Sequence, residues 1–281
     1  PDMIEQLVEN PEKLKIGGES REMTIMFCDI RGFTSISERF KNEPDKLADI
    51  INRLLTVLTR EILDTGGTVD KYMGDCIMAF WNAPLDQHDH ASRAARTALK
   101  MIQALERLNG VLIAEGLISE PLRVGIGLGT GYVVVGNMGS TQRFDYTVLG
   151  DTVNTASRLE GLTKQLGTSI LLAQSTIDEL EPDLLAYSIE LDLVRLKGQE
   201  SAVSVHGLFN TPISTEERAW MAQFLKSYRS GNFLQARAAL EEIRDAATRF
   251  SPYADALSSR LGTQITSPQN QWAGVFDLST K

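Results

Sequence analysis

Cysteine is nearly missing from this sequence: Cys28 and Cys76 are the only two in 281 residues. Two thiols cannot frame a disulfide-stapled fold, and such sparse use points to a reducing, cytosolic setting. There is no C-x-x-C and no Ser-His-Asp order to support a zinc or hydrolase reading. Histidine is nearly as scarce, with three residues, and His88 and His90 stand together without a third ligand nearby. Apolar runs never reach the roughly 18 residues that a membrane-spanning helix needs. Positive charge is also short: 28 Lys and Arg against 37 Asp and Glu leave a net charge of −9. That balance argues against a nucleic-acid-binding surface, yet leaves room for one local basic cluster around a nucleotide. Neither a P-loop nor a G-x-G-x-x-G opening a helix occurs. The chain begins at Pro1, without an initiating Met or a signal peptide, and reads as a piece of something longer.

What remains is an ordinary globular composition, 42% hydrophobic and 23% charged, long enough for one good-sized core and a smaller appendage. Met3, Ile4, Leu7 and Val8 have helical spacing before Asn10-Pro11, as an incoming linker helix would, and Gly17-Gly18 marks a boundary. Met23–Cys28 reads as a buried strand. A helical region follows, broken at Asn42–Pro44, then an apolar stripe from Leu47 to Ile62 that stops at Gly66-Gly67. Thr68–Tyr72 and Cys76–Trp81 read as a hairpin around Met73-Gly74-Asp75, and His88–Glu115 as a second long helix. Leu122–Leu128 is expected to turn at Gly129–Gly131 into Tyr132–Val135. A glycine-bearing loop then leads to a helix over Asp151–Leu166, with strands at Ser169–Leu172, Ala186–Leu196 and Ser201–Leu208. The order implies an α+β fold: a ferredoxin-like βαββαβ core, its sheet mostly antiparallel and covered by helices on one face, with extra C-terminal strands. Beyond Pro212 the pattern is helical only, with a hairpin of Glu216–Arg229 and Phe233–Arg249. The expected division is 1–18 linker, 19–210 catalytic domain and 211–281 helical hairpin and tail.

Two acids sit at turns, Asp29 where the first strand ends and Asp75 at the hairpin tip. In such a sheet these segments are neighbours, so both carboxylates can approach one point and hold a pair of divalent cations against phosphate oxygens. Gly32, Phe33 and Thr34 open the helix after Asp29, where backbone N–H groups favour phosphate. Asn154 and Arg158 share a helix face. An amide and a guanidinium there can orient a ribose and neutralise a phosphoryl group, although alone they better describe a solvated face with Arg158 paired to Glu160 or another acid. A Lys71 donor and a Thr147 acceptor complement the N1 and N6 groups of adenine. Lys197, in a strand-end turn, and Arg143 are candidates for the terminal phosphates.

Phe27-Cys28-Asp29-Ile30-Arg31-Gly32-Phe33-Thr34, Lys71-Tyr72-Met73-Gly74-Asp75 and the run from Tyr146 to Glu160 strongly resemble class III nucleotidyl cyclases. The likeness covers about Glu19–Phe209. It implies that Asp29 and Asp75 bind two Mg²⁺ or Mn²⁺ with help from the Ile30 carbonyl. It also implies that Lys71 and Thr147 select adenine, Asn154 orients the ribose, Arg158 stabilises the transition state and Lys197 holds the polyphosphate. The implied activity is adenylate cyclase acting on ATP; a guanylate cyclase, or a nucleotide-binding sensor without turnover, is the alternative. The family further implies a head-to-tail homodimer in which the acids of one subunit face Lys71, Thr147, Asn154 and Arg158 of its twin. Thr147, where many members have Asp, is similar to a bacterial subgroup that includes bicarbonate-stimulated enzymes, so bicarbonate enters by analogy. The segments flanking the domain resemble cyclases fused to an N-terminal membrane-bound sensor, which would leave this domain cytoplasmic.

Overall fold

The computed structural model describes residues 17–140, 142–197, 201–266 and 272–278. The incoming helix expected near Met3–Val8 lies outside them. Strand β1 (Gly17–Ile30) is longer than its apolar centre implied. Helices α1 (Phe33–Arg39) and α2 (Pro44–Asp64) follow, α2 burying Ile50, Leu54, Leu58 and Ile62 from the expected stripe. Strands β2 (Thr68–Met73) and β3 (Cys76–Trp81) form the hairpin, and α3 (His90–Ala114) the second long helix. Then come β4 (Val124–Gly139), β5 (Phe144–Leu149), α4 (Asp151–Gln165) and β6 (Ile170–Ala173). Two short helices, α5 (Gln174–Asp178) and α6 (Pro182–Leu185), precede β7 (Ser188–Arg195) and β8 (Val203–Leu208).

Among the described residues the strands make one sheet in the order β2-β3-β1-β4-β6-β8-β7, closed by β9 (Phe276–Asp277), with β5 paired to β4. The run β2-β3-β1-β4 is the expected ferredoxin-like arrangement. All pairs are antiparallel except β4 with β6 and β7 with β9.

Three expectations need correction. Gly129–Gly131 makes no turn, because β4 runs through it, paired with β1 from Val124 to Asn137. Nor do the helices cover one face only. α2 and α3 pack with Met26, Cys28, Ile126 and Leu128, whereas Ala156 of α4 packs on the opposite face with Ile25, Phe27, Met78 and Phe80. The alternate glycines of β4 explain this. Gly125, Gly127 and Gly129 point one way by the strand's two-residue period; a Cβ on Gly125 or Gly127 would strike α4, and one on Gly129 would crowd it. The tail, finally, is more than a hairpin: α7 (Thr215–Arg229) and α8 (Phe233–Ala246) are followed by α9 (Ser251–Thr266).

α7 opens with a complete capping box between Ser214 and Glu217. Phe224, Tyr228, Leu240, Tyr253 and Leu257 share a core with Leu191, Val194 and Val205 of the sheet. His90 is structural: buried at the start of α3, its Nδ1 lies 2.8 Å from Thr24 Oγ1.

Candidate active site

Asp29 is the penultimate residue of β1 and Asp75 sits in the β2–β3 turn, where Gly74 (φ 69°) takes the left-handed conformation a side chain resists. Because β1 pairs with β3 in the register Cys28↔Ile77, the strand exit lies beside the hairpin tip. The two carboxyls are within hydrogen-bonding reach, and burial together with the Asp75 charge pushes Asp29 up to about 6. A third carboxyl, which the sequence did not single out for this role, stands beside them. Glu160 reaches from α4 so that its Oε1 would be 2.6 Å from a Cβ at Gly125. Gly125 is the register partner of Asp29. Burial, then the Asp29 charge, raises Glu160 to about 7, and Arg31 opposes that rise. The basic side chain acting on it is thus Arg31 rather than Arg158. The signal for Glu160 lay in the glycine opposite Asp29, which leaves room for a side chain from the other layer.

The acid pair fits a divalent cation. Its donors are hard oxygens, and their mutual repulsion is what a bound cation relieves. Burial and then the Asp29 charge push the neighbouring Cys76 thiol up to about 12. Among the described residues no group of three or more His, Cys, Asp or Glu side chains is arranged to hold a metal.

Lys71 and Thr147 are far apart in sequence, on β2 and β5, and the fold brings them to one point. Thr147 Oγ1 donates to Asp70 Oδ2 at 2.5 Å, and Lys71 Nζ lies 3.2 Å from Asp70 Oδ1. The Asp70 side chain is 1% exposed and that of Lys71 41%. Strand β5 was missed because its stretch is bracketed by glycines at 139 and 150; pairing with β4 (Gly136↔Thr147) makes it a strand.

α4 starts after Gly150 and buries Ala156, Leu159 and Leu162, leaving Asn154 exposed and Arg158 half-buried one turn on. Arg158 Nη1 is buried without a hydrogen-bond partner. Gly32 takes a left-handed φ of 73° at the start of α1, next to half-buried Phe33 and exposed Thr34. Arg143 is exposed in the β4–β5 turn, where its N–H meets Ser140 Oγ at 3.2 Å. Lys197 is exposed in the turn after β7, and three strands lie between β7 and β1 in the sheet. Ile30 ends β1 with its N–H donating to Asp29 Oδ1 at 3.0 Å.

Fold and site together define a class: an α+β sheet presenting paired acids at a strand exit and hairpin tip, with a lysine of that hairpin brought to a threonine of β5. The family model of the adenylate and guanylate cyclase catalytic domain matches residues 18–208, and the chain belongs to that family. Members are generally metal-dependent. An adenylate cyclase of Anabaena cylindrica is 40% identical over 199 residues, which are 69% of this chain and 38% of the relative. The chain therefore spans well under half of that protein. Among solved structures, the adenylyl cyclase CyaB from P. aeruginosa is similar at TM-score 0.63 and 32% identity, covering 70% of this chain and 97% of that one. The guanylyl cyclase Cya2 is similar at 0.62 and 34%, covering 69% and 94%. Structural likeness thus extends to both kinds of cyclase and does not choose the base.

Proposed function

We propose that this chain is the catalytic domain of an adenylate cyclase, converting ATP to 3′,5′-cyclic AMP and pyrophosphate. The ribose 3′-oxygen loses its proton and bonds to the α-phosphorus, while the bond from that phosphorus to the bridging oxygen of the β-phosphate breaks. The carrying observation is the meeting of Lys71 and Thr147 at Asp70. An ammonium donor beside a hydroxyl acceptor complements the adenine edge and mismatches guanine, whose N1 is a donor and O6 an acceptor.

Asp29 and Asp75, with the Ile30 carbonyl, would hold two Mg²⁺ or Mn²⁺. When bound, the ions supply charge neutralisation on the phosphates and acidify the 3′-hydroxyl. Asn154 orients the ribose, and Arg158 meets charge growing on the phosphoryl oxygens, a role worth roughly three to five decades in rate for an arginine. Its unpartnered Nη1 supports that role, since a buried donor left unpaired is costly until a partner arrives. Gly32, Phe33 and Thr34 offer backbone N–H groups to phosphate, and Lys197 and Arg143 serve the terminal phosphates.

The working form is a head-to-tail homodimer with shared sites. In support, Tyr72, Met73, Tyr132, Val134, Phe144 and Leu149 leave apolar side chains exposed on β2, β4 and β5. No described helix is long and apolar enough to cross a membrane; an N-terminal sensor that anchors the parent protein, with this domain cytoplasmic, belongs to the proposal, as does activation by bicarbonate. The division into 1–18, 19–210 and 211–281 does too.

The test assays purified protein with ATP and GTP, each with Mg²⁺ or Mn²⁺, with and without bicarbonate, over a range of protein concentrations. Cyclic AMP formation at a specific activity that rises with concentration supports the reading. Preferred turnover of GTP moves it to guanylate cyclase, and ATP binding without cyclic product makes the chain a sensor.

A further inference from the structure

A threonine hydroxyl by itself cannot tell adenine from guanine. It carries one donor and two lone pairs, so it can accept from an amine at position 6 or donate to a carbonyl there. Something must take the hydroxyl proton before Thr147 can discriminate. The structure supplies that group in Asp70. Its carboxylate only accepts, and Thr147 Oγ1 donates to its Oδ2 at 2.5 Å. With its hydrogen committed, the hydroxyl turns lone pairs outward: it can accept from an amine and repels a carbonyl. The other oxygen, Oδ1, is buried without a hydrogen bond but has Lys71 Nζ 3.2 Å away, so charge alone draws the ammonium to the same point.

Local backbone explains how Asp70 comes to lie there. The pairing of β2 with β3 slips between Val69↔Ala79 and Lys71↔Met78, leaving Asp70 as the extra residue of a bulge. Bulges re-aim side chains and recur beside active sites. Here the bulge sends a carboxylate inward, 1% exposed. A carboxylate buried so far is costly unless paired, and the partners it has are the two residues that face the base.

We propose that Asp70 is a specificity-determining positioning residue: it fixes the Thr147 hydroxyl as an acceptor, holds Lys71 beside it, and so makes the pocket select a 6-amino purine over a 6-oxo purine. The proposal rests on the reading of Lys71 and Thr147 as the base-facing pair.

The experiment measures kcat and KM for ATP and for inosine triphosphate, which swaps the N1 acceptor and N6 amine of ATP for an N1 donor and an O6 carbonyl. The proteins are the whole chain as wild type, Asp70→Asn, Asp70→Ser and the double variant Lys71→Ala/Thr147→Val, each checked for melting temperature and dimerisation. Asp70→Asn can present an N–H to Thr147 and free the hydroxyl to donate. The expected result is a fall of about tenfold or more in the ATP-over-inosine-triphosphate ratio of kcat/KM. It should come from a higher KM for ATP and faster use of the inosine nucleotide, with kcat on saturating ATP within about threefold of wild type. If Asp70→Asn does not fold, Asp70→Ser is read by the same ratio. A merely structural role would lower both substrates together, and an unchanged ratio in the folded Asp70 variant overturns the proposal. If the double variant loses the preference while the Asp70 variant keeps it, Asp70 alone is misassigned. If the double variant keeps it, the assignment of the base-facing pair falls, and Asp70 with it.

Discussion

Replacing Gly127 by alanine should damage stability and catalysis together, through the seam between β4 and α4. A Cβ there would lie 3.0 Å from Glu160 Cα, and closer still to the Ala156 carbonyl oxygen and the Glu160 nitrogen. Non-bonded carbon contacts settle at about 3.5–4.0 Å, so α4 must back away by roughly 1 Å. Backbone atoms form the obstacle, and no side chain can swing aside. Overpacking of this kind costs about 1–3 kcal/mol, and the rigid obstacle places Gly127 at the upper end. For a chain of 281 residues that is a loss of roughly 5 °C in melting temperature. The same helix carries Asn154 and Arg158, and a shift of about 1 Å at a reacting centre can cost on the order of a hundredfold in rate. Calorimetry and a cyclic-nucleotide assay on the one variant read both effects. Gly110→Ala is the control: it sits inside α3 with nothing within 4 Å of the added carbon. It should gain about 0.5–1 kcal/mol from helix propensity. A Gly127→Ala protein that melts and turns over like wild type would refute the reasoning that α4 sits on a glycine floor.

Other expectations follow from the same geometry. Asp29→Ala and Arg158→Ala should each be inactive alone and partly active when mixed, since a heterodimer regains one intact site; no recovery between folded, dimeric variants would contradict shared sites. Asp29 holds its proton up to about 6, above the ordinary 3.8. Its contribution to the stability of the metal-free protein is therefore fully present below pH 3.8 and lost as pH rises through about 6. Asp29→Asn should accordingly raise the melting temperature in EDTA at pH 7.5 and change it little at pH 4, and a drop at pH 7.5 would count against the repulsion between the acids. In the tail, Arg260 pairs with Asp192, whose side chain is 1% exposed, and lies 3.5 Å over the Phe276 ring. Arg260→Ala leaves a buried charge unpaired and should cost about 3–5 kcal/mol in urea unfolding; a cost under about 1 kcal/mol would show that water reaches Asp192.

Strong local patterns were already legible in the amino-acid order. The stripe of α2, the stop at Gly66-Gly67, the β2–β3 hairpin and α4 follow from periodicity and glycine punctuation. So do the turn positions of Asp29 and Asp75. Pairing across the sheet was not legible. The glycines at 129 and 131 read locally as turn formers, yet they lie in an extended strand that a helix from a later segment packs against. Strand β5 carries a weak local signal and exists through β4. Glu160 and Asp70 look like ordinary surface acids in the sequence. Only tertiary structure could bury one beside Asp29 and the other beneath Lys71 and Thr147. Residue order fixes what each segment prefers, but a carboxylate acquires its partners and its charge state from groups that long-range packing brings to it.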